Sequence, residues 1–137
     1  MQNPPPVQTP KSSTGLDENV AALLSYIFGW VSGLIFFLIE KESRLVKFHA
    51  MQSILLNVLI AVLGIVLWIV TFVIVIIGSQ LPGFLGAILS LLATLIWIVF
   101  SIGLLIAWIL CLIKAFQGTY FKLPVIGALA EKFSAPK

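Results

Sequence analysis

Residues 48–113 read FHAMQSILLNVLIAVLGIVLWIVTFVIVIIGSQLPGFLGAILSLLATLIWIVFSIGLLIAWILCLI, a stretch bounded by Lys47 and Lys114 that contains no Asp, Glu, Lys or Arg. A soluble helix keeps a charged face toward water, so an uncharged stretch of this length points to helices that cross a lipid bilayer. One polar break, Gly78-Ser79-Gln80-Leu81-Pro82-Gly83, divides it. The segments on either side, 51–77 and 84–113, both exceed the roughly 20 residues that a crossing needs and are expected to tilt or project into the interface.

The rest of the chain shares this bias. Of its 137 residues, 61% are hydrophobic and 9% charged, and the mean hydropathy is +1.16; soluble domains carry about a quarter charged residues. A single membrane domain over 20–137 is expected. The net charge of +3 comes from cations that flank apolar segments instead of interleaving with stacking aromatics, so the expected partner is the lipid bilayer and not nucleic acid. Cys111 is the only cysteine, which excludes an internal disulfide and a thiolate metal cluster. Residues 1–19, with Pro4-Pro5-Pro6, Pro10 and Ser12-Ser13-Thr14-Gly15, lack apolar periodicity and read as a disordered tail. No cleavable signal or organellar transit pattern is legible there, which favours a prokaryotic plasma membrane.

Residues 21–39 form a third apolar segment, about 28 Å long as a helix and close to the thickness of a hydrocarbon core. The expected fold is therefore an all-α integral membrane protein with three transmembrane helices, over 21–39, 51–77 and 84–113. A short amphipathic helix over 124–134, started by Pro124 and lying on the interface, completes it. Three crossings put Lys41, Arg44, Lys47, Lys114, Lys122, Lys132 and Lys137 on one side and Lys11 on the other. The positive-inside rule then predicts an N-terminus outside and a cytoplasmic C-terminus. The loop between the first two spans should continue as helix, with Glu40 and Arg44 paired at i, i+4, and Lys41, Arg44 and Lys47 are candidate contacts for anionic lipid.

Helices in lipid associate where small residues let backbones approach. Ala21, Ser25, Gly29 and Gly33 follow one another at intervals of four, as do Gly86, Ser90 and Thr94, then Gly103, Ala107, Cys111 and Ala115. Ala21, Ser25, Gly29 and Gly33 are a candidate helix-packing seam; in the third span the two runs point to different sides, so one can pack within the chain and the other, with Gly103 and Ala107, between copies. His49, Gln52, Ser53 and Asn57 form a polar stripe along the start of the second span. A lone histidine without a carboxylate on its face makes neither a metal site nor a nucleophile–base pair. Catalytic residues, cofactor and metal are accordingly not expected, and His49 and Gln52 read as headgroup-level residues with Asn57 bonded to a neighbouring helix.

Two stretches carry a family likeness: Leu24-Ser-Tyr-Ile-Phe-Gly-Trp-Val-Ser-Gly33 continuing to Glu40-Lys-Glu-Ser-Arg-Leu-Val-Lys-Phe-His-Ala-Met-Gln-Ser53, and Ala115-Phe-Gln-Gly-Thr-Tyr-Phe-Lys-Leu-Pro-Val-Ile-Gly-Ala-Leu-Ala-Glu-Lys132. Over about 20–133 the chain resembles the Tic-twenty-like family of small prokaryotic membrane proteins, grouped with the chloroplast inner-envelope import component. The resemblance implies a multi-pass helical membrane protein and a connection to protein import; it brings no catalytic or ligand residues.

The expected function is a membrane scaffold or accessory subunit, with a link to protein translocation through the resemblance. Self-association or another membrane protein is the expected protein partner. A small oligomeric channel or transporter is the alternative, motivated by the stripe from His49 to Asn57. An enzyme is not expected, because no nucleophile lies beside a base.

Overall fold

The computed structural model describes residues 9–135. They form five helices: α1 (Glu18–Ile27), α2 (Trp30–Ile39), α3 (Arg44–Ser79), α4 (Gly83–Phe116) and α5 (Ile126–Ser134). The chain divides into two compact units, unit 1 (Met1–Asn57 with Cys111–Lys137) and unit 2 (Val58–Leu110). All thirteen Asp, Glu, Lys and Arg residues belong to unit 1, and none to unit 2.

Unit 2 consists of the later part of α3, the 80–82 turn and most of α4. Only 6% of the most apolar stretch of either helix is buried, and Val58, Ile65, Trp68, Val99 and Ile102 all point outward. A soluble core helix would hide such residues; these two suit lipid, and each is long and apolar enough to cross it. The helices meet at Gly78 and Gly86, where a Cβ on Gly86 would lie 2.5 Å from the Gly78 carbonyl oxygen. Further along, the Trp97 indole N–H donates to Thr71 Oγ1 at 3.3 Å. Residue 86 opposite 78 and 97 opposite 71 make the pair antiparallel.

Unit 1 is built differently, with polar groups in its interior. Its apolar core of Ala21, Ala22, Tyr26, Val46, Phe48, Ala50, Cys111, Ala115, Ile126 and Ala130 is interleaved with buried Ser25, Glu40, His49, Gln52 and Ser53. The segment expected as one span over 21–39 is two helices of ten residues. Each is about 15 Å long, half of what a crossing requires. The break falls at Gly29, whose φ of 62° and ψ of −133° are open to glycine and costly for other residues. Ser32 repairs the backbone there: its hydroxyl accepts the Phe28 N–H at 3.1 Å and lies 3.0 Å from the Ser25 carbonyl, to which it donates.

Beyond the break the chain turns back. The Glu40 carboxylate accepts the Ser13 backbone N–H at 3.0 Å and its hydroxyl at 2.8 Å. Beside it the Ser43 hydroxyl donates to Glu18 at 2.8 Å. The start of α1 and the end of α2 are therefore neighbours, while the break at Gly29 lies against Ser53, whose hydroxyl donates to the Gly29 carbonyl at 3.0 Å. From Ser43 to Ser53 is about 15 Å along α3, so α1 and α2 form a short hairpin laid against the first turns of α3.

Three further expectations are corrected. Residues 40–43 are not helical, and Glu40 does not pair with Arg44 but accepts the backbone N–H groups of Glu42 and Ser43 at 3.0 and 2.8 Å. Of the tail expected to be disordered over 1–19, residues 1–8 lie outside the described residues. Residues 10–18 form a compact turn, with Ser12 N–H on Leu16 O and Glu18 N–H on Pro10 O. Pro124 does not start α5: it precedes a γ-turn at Val125, φ 67° and ψ −60°, closed by the Ile126 N–H on the Pro124 carbonyl at 2.8 Å.

Candidate functional site

The polar stripe and the C-terminal segment come together inside unit 1. His49 Nε2 lies 2.9 Å from the Thr119 carbonyl, which can only accept, so Nε2 carries a proton. In the neutral ring Nδ1 then accepts from the Tyr26 hydroxyl at 2.9 Å. Gln52 spans the remainder: its amide nitrogen donates to Tyr26 Oη at 3.1 Å and to the Phe121 carbonyl at 3.0 Å, and its oxygen accepts the Leu123 N–H at 3.3 Å. His49 and Gln52 are fully buried, and among the described residues no buried side-chain nitrogen or oxygen lacks a partner.

This network staples the irregular 119–123 segment to α3. Backbone groups buried without a partner are costly, and the side chains of α3 supply partners to the Thr119 and Phe121 carbonyls and the Leu123 N–H. His49 and Gln52, expected at headgroup level, are both enclosed within unit 1. Asn57 reaches back to the Ser53 carbonyl of its own helix at 2.8 Å. The Gln52 amide nitrogen also lies 3.9 Å from the Cys111 sulfur, and the arrangement holds and orients the segment it binds.

The small residues divide as well. Ala21 and Ser25 are buried on α1. Gly33 packs so closely on α3 that a Cβ would meet the Ala50 carbonyl oxygen at 2.9 Å. The break at Gly29 separates the two halves of that expected seam. Gly103 is open, with nothing within 4 Å of a Cβ, and Ala107 is half-buried.

At the surface of unit 1, Arg44, Phe48, Tyr120, Lys122, Glu131 and Ser134 line a cavity of about 440 Å³. A second, of about 130 Å³, is lined by Lys41, Glu42, Ser43, Arg44, Lys47 and Ser134. The Lys122 ammonium sits 2.6 Å from Glu131 and holds that carboxyl below its ordinary range. Burial raises the Tyr120 phenol, against the pull of Arg44. The three cations expected to touch anionic lipid, Lys41, Arg44 and Lys47, thus share one cavity wall.

A family model described as the magnetosome magnetite crystal formation protein family matches residues 16–130. The chain belongs to that family. Among proteins similar to this member of the magnetosome magnetite crystal formation family is a UPF0132 membrane protein of Methanocaldococcus jannaschii, 42% identical over 90% of this chain and 94% of the relative. Another, from Archaeoglobus fulgidus, is 38% identical over 85% of this chain and 95% of its own length. No solved structure matches. The resemblance to the Tic-twenty-like family is overturned by these matches, and the translocation link that rested on it goes too. Both stretches that carried the likeness fall almost wholly inside the matched range.

Several residues that organise the site in this family member carry no strong sequence signal. Tyr26 reads as an isolated hydroxyl, yet it lies between His49 and Gln52. Glu40 reads as half of a helical ion pair. The acceptors at Thr119 and Phe121 are backbone carbonyls, and every residue type has one.

Proposed function

We propose that the chain is a membrane scaffold: a two-crossing anchor, α3 and α4, whose charged unit 1 lies on the cytoplasmic face of a prokaryotic plasma membrane and gathers lipid headgroups and neighbouring membrane proteins there. The observation that carries this reading is the clasp between Ser13 and Glu40. It brings the two ends of the α1–α2 hairpin together, so that this apolar segment enters and leaves on one face instead of crossing. Two crossings then place both termini and all eight Lys and Arg residues on the same side, a stronger positive-inside bias than three crossings would give.

The stripe from His49 to Asn57, which motivated a channel, is used up in internal hydrogen bonds. Residues 58–110 contain no ionisable side chain of the kind that marks an ion path. A scaffold is therefore the better supported reading. The family's description speaks of magnetite crystal formation. A mineral-facing surface would call for clustered carboxylates or histidines; among the described residues no three of His, Cys, Asp and Glu gather closely enough to hold a metal ion, and we propose no such role.

The test is copurification. The full chain, tagged and solubilised in mild detergent, should carry a membrane protein or a second copy of itself in constant ratio. A chain that is monomeric and alone after gentle extraction contradicts the scaffold reading.

A further inference from the structure

The two surface cavities of unit 1 meet at Arg44 and Ser134, which line both. We propose that this double cavity binds the phosphate of one anionic lipid headgroup, with the Arg44 guanidinium as the central ligand. The inference deepens the scaffold reading by naming the lipid chemistry that unit 1 gathers.

Charge assigns the ligand's sign. Lys41, Arg44, Lys47 and Lys122 face the cavities against Glu42 and Glu131, leaving two positive charges in excess. Lys122 is paired with Glu131. Arg44 has no carboxylate within 4 Å among the described residues, so its planar fork is left for an outside anion. A phosphate accepts two parallel N–H bonds from such a fork.

The apolar walls assign the source of that phosphate. The exposed Tyr120 ring, backed by the buried Phe48 ring at a centroid distance of 5.3 Å, lines the larger cavity, a surface suited to a glycerol backbone and the first methylenes. Around α5, Val125, Leu129 and Phe133 are exposed at 78%, 40% and 57%, spaced by four so that they form one outward stripe. Ile126 and Ala130 point inward. A helix with a second, outward apolar stripe lies on a membrane, and a free phosphate in water would leave that stripe uncovered.

The experiment uses the full chain in neutral detergent, with native mass spectrometry during titration by phosphatidylglycerol, by phosphatidylcholine and by inorganic phosphate. Retention of one phosphatidylglycerol at concentrations where phosphatidylcholine does not bind is expected, unaffected by excess inorganic phosphate. Arg44→Gln should weaken that binding about tenfold or more, as loss of a charged hydrogen bond does. Arg44→Lys should restore part of it, and Lys132→Gln, outside both cavities, should change it less than about threefold, within the effect of one diffuse surface charge.

Equal losses in the Arg44 and Lys132 variants overturn the site in favour of diffuse attraction. Equal retention of the two lipids, or displacement of phosphatidylglycerol by inorganic phosphate, overturns the lipid assignment. If Arg44→Gln does not fold, Lys41→Gln with Lys47→Gln takes its place, with a comparable loss expected and unchanged binding overturning the proposal. Binding in detergent is independent of sidedness, so a missing site with both termini cytoplasmic overturns the site alone.

Discussion

Ser13 and Glu40 stand 27 positions apart and are joined three times: the Glu40 carboxylate takes the Ser13 N–H at 3.0 and 3.1 Å and its hydroxyl at 2.8 Å. The Ser13 oxygen in turn accepts the Lys41 N–H at 2.8 Å. A carboxylate that gathers backbone donors from both ends of an apolar hairpin makes those ends one locus.

Glu40→Gln should loosen this clasp. The amide keeps the shape but loses the charge-assisted bonds, at a cost of about 1–3 kcal/mol. The thermal unfolding temperature in detergent should fall accordingly, and a cysteine placed at the neighbouring, buried Ser12 should become more reactive to a water-soluble maleimide. Unchanged reactivity would count against the clasp.

Acid should act on the same residue. Burial opposes the charge on Glu40, but hydrogen bonds from Ser43, Ser13 and Glu42 outweigh it, and its carboxyl sits below the ordinary range. A lowered folded-state value contributes stability that is present above the unfolded value of about 4.3 and is lost as pH falls through the folded one. The wild type should therefore lose stability across that window, as pH falls from the unfolded value through the folded one, more steeply than Glu40→Gln does. Parallel pH profiles for the two proteins would refute the assignment.

Gln52→Leu should release the 119–123 segment. The Phe121 carbonyl and the Leu123 N–H lose their partner, and each buried group left unpaired costs about 1–3 kcal/mol. Limited proteolysis should cut after residue 118 in the variant and spare the wild type. Equal cutting would mean that the staple does not hold the segment.

Glycine substitutions separate the contact within unit 2 from its open face. Gly86→Ala drives a methyl into the Gly78 carbonyl and should destabilise by about 1–3 kcal/mol. Gly103→Ala meets nothing and should be neutral or stabilising by up to about 1 kcal/mol in the monomer. Unfolding monitored by tryptophan emission distinguishes them, and the reverse order would contradict the Gly78–Gly86 crossing.

Much of unit 2 was legible because lipid imposes a simple rule on it: an uncharged run must be helical, and Pro82-Gly83 must interrupt it. The break in the first apolar segment was not. Gly29 in such a run is read as a packing residue, and nothing local distinguishes a glycine that admits a neighbour from one that takes a positive φ. Gly33, four residues on, does serve close packing against Ala50. The polar stripe was visible at His49 and Gln52, but its partners were not, since they are carbonyls of residues some seventy positions away. Glu40 likewise bonds to backbone groups, and its distance of four from Arg44 suggested a surface ion pair that the turn at 40–43 prevents.

The central claim is that the α1–α2 hairpin does not cross the membrane. Fusing a paired reporter, active as a phosphatase only outside and fluorescent only in the cytoplasm, at the N-terminus and separately after Lys137 tests it most directly. The account predicts cytoplasmic fluorescence and no phosphatase activity from both fusions. Phosphatase activity at the N-terminus with fluorescence at Lys137 would mean three crossings and contradict it.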